Sequence, residues 1–291
     1  MIRYSITKPE LEAAVERAKR GWLKKAALKT EAFRNAGDFN EPDSKNSWSD
    51  IKSAFIQLQK NKCAYCERQL GHDRRSRIEH DVEHFRPKNA VRRWPAEGSK
   101  QKYRFTTGDA SEKGYYLLSY NIFNYTTACK TCNSTLKSNF FPVYGSRLTN
   151  TDDFTALKAE QHLLIYPLGD VDADPESLIT FQGVLPVPKV KSGEKYRRAR
   201  VTIGLFELDT REDLNRQRAG IILALWTAHR FLQTPGISDE DRTDAQRIFD
   251  LAISAGSAHA NCARTFVKLC QQDAAKAREF KELAAQIVLN A

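Results

Sequence analysis

Helical and strand-like spacings of apolar residues alternate along the chain, and each switch marks an element. Thr7 followed by Pro9 and Glu10 reads as a capped helix start, with the proline at the first helical position and the glutamate reaching back to a free amide. A helix is predicted from there to about Phe33. The polar stretch from Asn35 to Asn46, with Gly37 and Pro42, interrupts it, and Ser47 caps a second helix whose Ile51, Phe55 and Leu58 share a face. From Arg77 to Phe85 the period becomes two. Ile78, His80, Val82 and His84 take one face and Glu79, Asp81 and Glu83 the other, a strand that Pro87 ends. Lys88 to Gly114 is rich in Arg, Lys and Gly and reads as a surface excursion. GYYLLSYNIFNY then offers strand-forming aromatics and leucines, and a short helix is predicted near Asn133.

Past Pro142 the pattern changes to a polar stretch, a hairpin around Gln182 and Gly183, and then helices. Leu214, Ile221, Leu225 and Trp226 mark one amphipathic helix, stopped at Thr234, Pro235 and Gly236, and two more are predicted to follow. The chain shows no internal repeat. The expected fold is α+β and mostly α-helical, with an N-terminal helical segment at 1–60, a core at 61–145 and a mainly helical domain at 146–291.

Charge changes the picture by pointing to a partner. Across 291 residues, 46 Lys and Arg stand against 36 Asp and Glu, a formal charge of +10, which favours polyanions through counterion release. Nucleic acid is the first partner to consider, DNA before RNA, although a basic surface is also simply a solvated one. The N-terminus lacks the apolar run of a secretory signal, and no segment approaches the roughly 18 to 20 apolar residues that span a bilayer. A cytoplasmic location without membrane contact is expected.

Four of the six cysteines stand as two CxxC pairs, Cys63/Cys66 and Cys129/Cys132, about sixty residues apart. Each pair forms a tight turn that points two thiolates at one ion, so the quartet predicts a structural zinc site. A closed four-cysteine site has no open coordination position, so this zinc scaffolds chemistry and does not perform it. Cys262 and Cys270 lie in an alanine-rich helical stretch and read as buried thiols.

Between and beside the pairs lie CAYCE, EHFRPK, NYTTACKTCN and then Lys137 with Phe141 and Pro142 shortly after. Over roughly residues 60 to 142 this run resembles the HNH endonuclease family, in which a β-hairpin and a helix, the ββα-metal core, clasp one catalytic metal. The resemblance implies that His84 is the general base that takes a proton from the attacking water, which suits an imidazole largely neutral at cellular pH. It implies that Glu83 and Asn133 hold the catalytic ion, Mg²⁺ or Mn²⁺ given their hard oxygens. Asn124 matches the middle residue of the motif, which orients the His84 ring; Asn121 is its rival. His80 and Glu79 form a second EH step of lower rank, because the Phe-Arg-Pro-Lys tail belongs to His84. Arg86, Lys88 and Lys137, with the arginines at 74, 75, 77, 92 and 93, are candidates to grip phosphates. His72, His162, His229 and His259 carry no motif.

A weaker match beyond residue 145 resembles the bacterial subgroup found with an ATPase in Septu and retron antiphage systems. It implies an ATPase partner and a docking role for the C-terminal helices. Two alternatives stay open on the sequence: an RNA-cleaving effector, and a zinc module that binds nucleic acid or a protein without cutting.

Overall fold

The computed structural model describes residues 1–41, 47–71 and 76–290, and among them helices dominate over two short sheets, an α+β, mostly helical fold. Two units emerge, one of residues 3–64 with 70–173, the other of residues 1–2, 65–69 and 174–291. His72, Arg74 and Arg75 lie outside the described residues, as does the side chain of Arg77.

In the first unit, α1 (Lys8–Ala18) begins at the expected capping box, with Thr7 and Glu10 bonded reciprocally. The helix does not run on to Phe33. It breaks at Gly21, whose φ of 76° is left-handed, and α2 (Trp22–Ala36) starts there. The Glu16 carboxylate accepts the amides of Gly21 (2.7 Å) and Leu23 (3.0 Å), serving as the new helix's cap, and Trp22 is buried. A tight turn at Trp48–Ile51 precedes α3 (Lys52–Leu58), and Ser47 makes no side-chain capping bond.

The strands β1 (His80–His84) and β2 (Tyr125–Cys129) pair antiparallel, with His80 opposite Cys129 and His84 opposite Tyr125. The aromatic run before β2, expected as strand, folds instead as two tight turns, Tyr116–Leu118 and Ile122–Asn124. Ring packing overrides strand propensity there, since the Tyr120 ring sits 6.0, 6.1 and 5.5 Å from those of Trp22, Phe33 and Trp48. After β2, Thr131–Lys137 forms one wide helical turn. Ser138 N donates to Asn133 O five residues back (2.7 Å). The chain then passes the single turn α4 (Phe154–Leu157) and returns over this unit: Leu163 N donates to Pro142 O (2.9 Å) and Tyr4 bridges to Leu168. These bonds keep residues 146–173 with this unit.

The second unit holds α5 (Pro175–Leu178) and a hairpin of β3 (Ile179–Gln182) and β4 (Leu185–Pro188) that turns at Gly183, φ 59°. Its helices are α6 (Gly193–Leu205), α7 (Glu212–Leu232), α8 (Asp239–Ile253), α9 (Ala260–Gln272) and α10 (Ala274–Leu289). Helix α7 packs against α8, α9 and α10 and buries Leu214, Ile222 and Leu225. Three helices follow α7 where two were predicted, because Asp273 ends α9 and its side chain caps α10 through Lys276 N (2.9 Å). Cys262 and Cys270 are buried in α9, and burial pushes their thiols up to about 12 and about 11, as packing residues. No helix among the described residues is long and apolar enough to cross a membrane.

Gln59, fully buried, sets where β2 lies. Its Nε2 donates to Lys62 O (3.1 Å) and Thr127 O (2.8 Å), and its Oε1 accepts Thr127 N (2.7 Å). Each orphaned buried group costs ~1–3 kcal/mol. Gln59→Ala is therefore expected to lower unfolding stability by at least ~2 kcal/mol, read by denaturant titration; a change within 0.5 kcal/mol, about the spread of neutral surface substitutions, would refute the pinning role.

Candidate metal centre and active site

The loop after Gln59 reverses through Lys60 and Asn61, both at positive φ, and closes where Leu70 N donates to Asn61 O (2.8 Å). Ala64 N donates to Thr127 O (3.0 Å), which ties the first cysteine turn to the middle of β2. The end of β2 carries Cys129, whose Sγ accepts Cys132 N (3.5 Å). The outcome is that Cys63, Cys66, Cys129 and Cys132 are all buried, with their sulfurs within 4.8 Å of one another and no disulfide among them. Tetrahedral zinc with bonds of ~2.3 Å separates its sulfurs by roughly 3.8 Å, so the quartet fits such an ion. Four thiolates could not share one buried volume without a cation. The group can hold a metal ion such as zinc.

Beside this frame, strand alternation builds a polar cluster. Asp81 and Glu83 project from the same face of β1. They meet Asn133 and Lys137, which are four residues apart on the wide turn. Asn133 Nδ2 donates to Asp81 Oδ2 (3.2 Å), and Lys130 reaches Asp81 Oδ1 (3.2 Å). Lys137, fully buried, forms an ion pair with Glu83 Oε1 and donates to His84 O (2.9 Å). Burial pushes the Glu83 carboxyl up to about 7, and the Lys137 ammonium beside it pulls the other way.

The His84 ring has a different set of neighbours. It stands edge-on to Trp48 and Tyr125, each 4.9 Å between centroids, and its Nε2 lies 3.1 Å from the Ser119 carbonyl. Burial, with Lys88 and Lys137 nearby, lowers its pKa to about 3, so the ring is neutral at cellular pH. A carbonyl can only accept, so Nε2 carries the proton and Nδ1 keeps its lone pair. Ser119 O is the partner here, not Asn124. The Asn124 amide is used elsewhere: Oδ1 accepts Arg86 N (2.7 Å), and Nδ2 donates to Arg86 O (2.9 Å) and Leu118 O (3.1 Å). Asn124 thus reaches His84 through the backbone, holding Leu118 next to Ser119. Asn121 caps the turn at Phe123 N (2.9 Å) and takes no part in this arrangement.

The candidate phosphate grips divide. Arg86 is buried, its Nε donating to Glu160 (3.2 Å). Glu160 also accepts Tyr115 Oη (2.6 Å) and Leu148 N (2.7 Å). The Arg86 guanidinium is thus enclosed with Glu160, and Lys137 lies between Glu83 and His84 O. Lys88 is half-buried with its ammonium over the rings of Phe39 (4.8 Å) and Trp48 (5.2 Å). Arg92 and Arg93 are exposed, Arg92 over the Phe140 ring (4.6 Å). His80 is buried with Nε2 on Gly71 O (3.1 Å) and burial lowers its pKa; His162 sits on Asp172 (3.3 Å).

With this geometry in view, the chain is similar to a Septu protein. It is 27% identical over 175 residues to Septu protein PtuB of Bacillus mycoides (strain KBAB4), a match covering 59% of this chain and 50% of that one. The chain spans about half the length of the curated relative it matches. No protein-family model matches it, and no solved structure does.

Sequence reasoning missed Ser119, Asp81 and Glu160 as parts of this region. Asp81 was legible, being two residues from Glu83 in an alternating strand. A backbone carbonyl such as that of Ser119 carries no side-chain signal at all.

Two tests follow. Cys129→Ser is expected to lose bound zinc, measured by metal analysis, together with a large part of the folding free energy, which in small zinc domains is on the order of 10 kcal/mol; equal stability and no zinc in the unaltered chain would exclude a structural metal. Arg86→Ala strands the buried Glu160 carboxylate and should cost ~3–5 kcal/mol of unfolding stability; a soluble, equally stable variant with weakened nucleic-acid binding would make Arg86 a phosphate contact.

Proposed function

We propose that this chain is a metal-dependent endonuclease of the HNH kind, acting on DNA, and the effector of an antiphage system of the Septu type. The observation that carries the reading is one short strand, β1, that presents the His84 imidazole, its Nε2 held on the Ser119 carbonyl, and alternating carboxylates beside Asn133. The similarity to Septu protein PtuB supports the defence setting. The family resemblance supports partnership with an ATPase.

Glu83, Asn133 and Asp81 offer hard oxygens, and that donor chemistry fits Mg²⁺ or Mn²⁺. Glu83 Oε1 is taken by Lys137, so Oε2 is the oxygen it offers. Bound there, such an ion would neutralise charge on the phosphate and the leaving oxygen. The chain's own residues do the rest. His84 Nδ1 accepts the proton of the attacking water, and the Ser119 carbonyl, already bonded to Nε2–H, stabilises the imidazolium that forms. Trp48 and Tyr125 fix the ring's plane. Lys88, half-buried beside Trp48 and acting on the His84 ring, is a cation that can meet the flanking phosphate. The same chemistry would cut RNA, because base and cation act on the phosphate.

His84→Ala is expected to reduce cleavage of plasmid DNA at least ~100-fold, the usual contribution of a general base, with zinc content retained and EDTA inhibition of the unaltered chain reversed by Mg²⁺ or Mn²⁺. Unchanged cleavage by the variant would overturn the assignment, and total RNA assayed in parallel separates the substrates. Because a regulated effector awaits its ATPase, the isolated chain should cut slowly; strong unregulated cleavage would count against the defence role.

A further inference from the structure

The excursion that follows β1 concentrates the chain's charge. Between Lys88 and Phe105 stand six cations and one carboxylate, Glu97, so 18 residues carry a net +5 of the chain's +10. Its second half alternates: Lys100, Lys102 and Arg104 are exposed, while Gln101, Tyr103 and Phe105 between them are half-buried. The Tyr103 and Phe105 rings lie 5.2 Å apart, tilted by 42°. Both line a concavity of about 640 Å³, with Arg93 at its wall and Glu97 and Asp109 also facing it. That volume falls in the ~300–1,000 Å³ range of small-ligand pockets.

The pocket is fastened to the candidate site by backbone. Val91 and Ser111 exchange two hydrogen bonds of 2.8 Å, closing the excursion's neck. A Cβ at Gly114 would stand 1.8 Å from Asn89 O, so only glycine lets the two arms approach there. Arg92 N donates to Asn139 O (3.1 Å) and Val143 N to Thr107 O (3.1 Å). The Asn139–Val143 segment directly follows the turn that bears Asn133 and Lys137. All of this lies within the first unit.

We propose that this excursion binds single-stranded nucleic acid, holding an unstacked base against Tyr103 and Phe105 while Lys100, Lys102 and Arg104 take the flanking phosphates outside. The inference deepens the nuclease reading and rests on it for its purpose. Three features select the ligand. The aromatic rings line a cavity, so they meet a base face only when that base has left a duplex stack. The carboxylates of Glu97 and Asp109 disfavour phosphate inside but suit the amino groups of a base edge. The exposed cations, with no ion pair among the described residues, supply the backbone contacts that an acidic protein would not space so regularly.

The test measures binding by the zinc-loaded chain of 291 residues, without Mg²⁺ or Mn²⁺ so that nothing is cut, using fluorescent oligodeoxycytidylate and oligocytidylate, whose bases carry an amino group, a duplex of equal length, and polyglutamate as an acidic competitor. Tyr103→Ala and Phe105→Ala are each expected to weaken single-strand binding at least ~5-fold, the effect of losing one stacking contact, while duplex affinity stays put. Replacing Lys100, Lys102 and Arg104 together with alanine should flatten the salt dependence by roughly two charges. Tyr103→Leu and Phe105→Leu, which keep apolar bulk, guard against misfolding and should weaken binding similarly. The two oligonucleotides distinguish DNA from RNA. Equal affinity for single strand and duplex, aromatic variants that bind like the unaltered chain, or polyglutamate competing as well as oligonucleotide would each overturn the proposal. A chain that binds single strands through Tyr103 and Phe105 but never cuts would sink the nuclease reading and leave this one standing.

Discussion

Four buried sulfurs within 4.8 Å of one another are the constraint on which the candidate site depends. A cation such as zinc, bound by all four, would hold the end of β2 to the turn that follows α3. Beside that end of β2, β1 pairs with its partner strand and the wide turn Thr131–Lys137 meets Asp81 and Glu83. Gln59 repeats the same instruction in hydrogen bonds, meeting both the N–H and the C=O of Thr127 in the middle of β2. The frame is stiff in the one direction that matters, the separation between strand and turn.

Around this frame the chain sorts its many cations into two kinds. Arg86 and Lys137 are enclosed and matched to Glu160 and Glu83, and burying them unpaired would be costly. Lys100, Lys102 and Arg104 stand in solvent on the excursion. A basic composition therefore has two physical meanings here: internal cross-linking near the site and an outward-facing field beyond it. The enclosed Lys137–Glu83 pair joins the turn to β1, and the exposed cations of the excursion face solvent.

His84 illustrates how a chemical state is made by packing. Trp48 and Tyr125 exclude water from two edges of the ring, and the Ser119 carbonyl admits only a donor at Nε2. Tyr125 Oη donates to that same carbonyl, so the acceptor itself is held on two sides. Asn124 stabilises the neighbouring backbone instead of touching the ring. The tautomer is thus decided by an aromatic cage and a loop carbonyl, which act together only because the tyrosine-rich run folds as turns and not as a strand.

The amino-acid sequence by itself determined the cysteine spacing, the alternation of β1, the capping box of α1, the hairpin at Gly183 and the excess of positive charge between Lys88 and Phe105. Each of these is a short-range pattern, readable because periodicity and capping act over a few residues. The tertiary structure alone decided that Ser119 orients His84, that Arg86 is a buried partner of a glutamate 74 positions away, and that residues 146 to 173 belong with the first unit. Such matters turn on which distant groups come within hydrogen-bond reach, and a backbone carbonyl or a buried ion pair leaves no local signature. The cysteines mark where the chain must converge; only the folded chain shows which groups that convergence brings together.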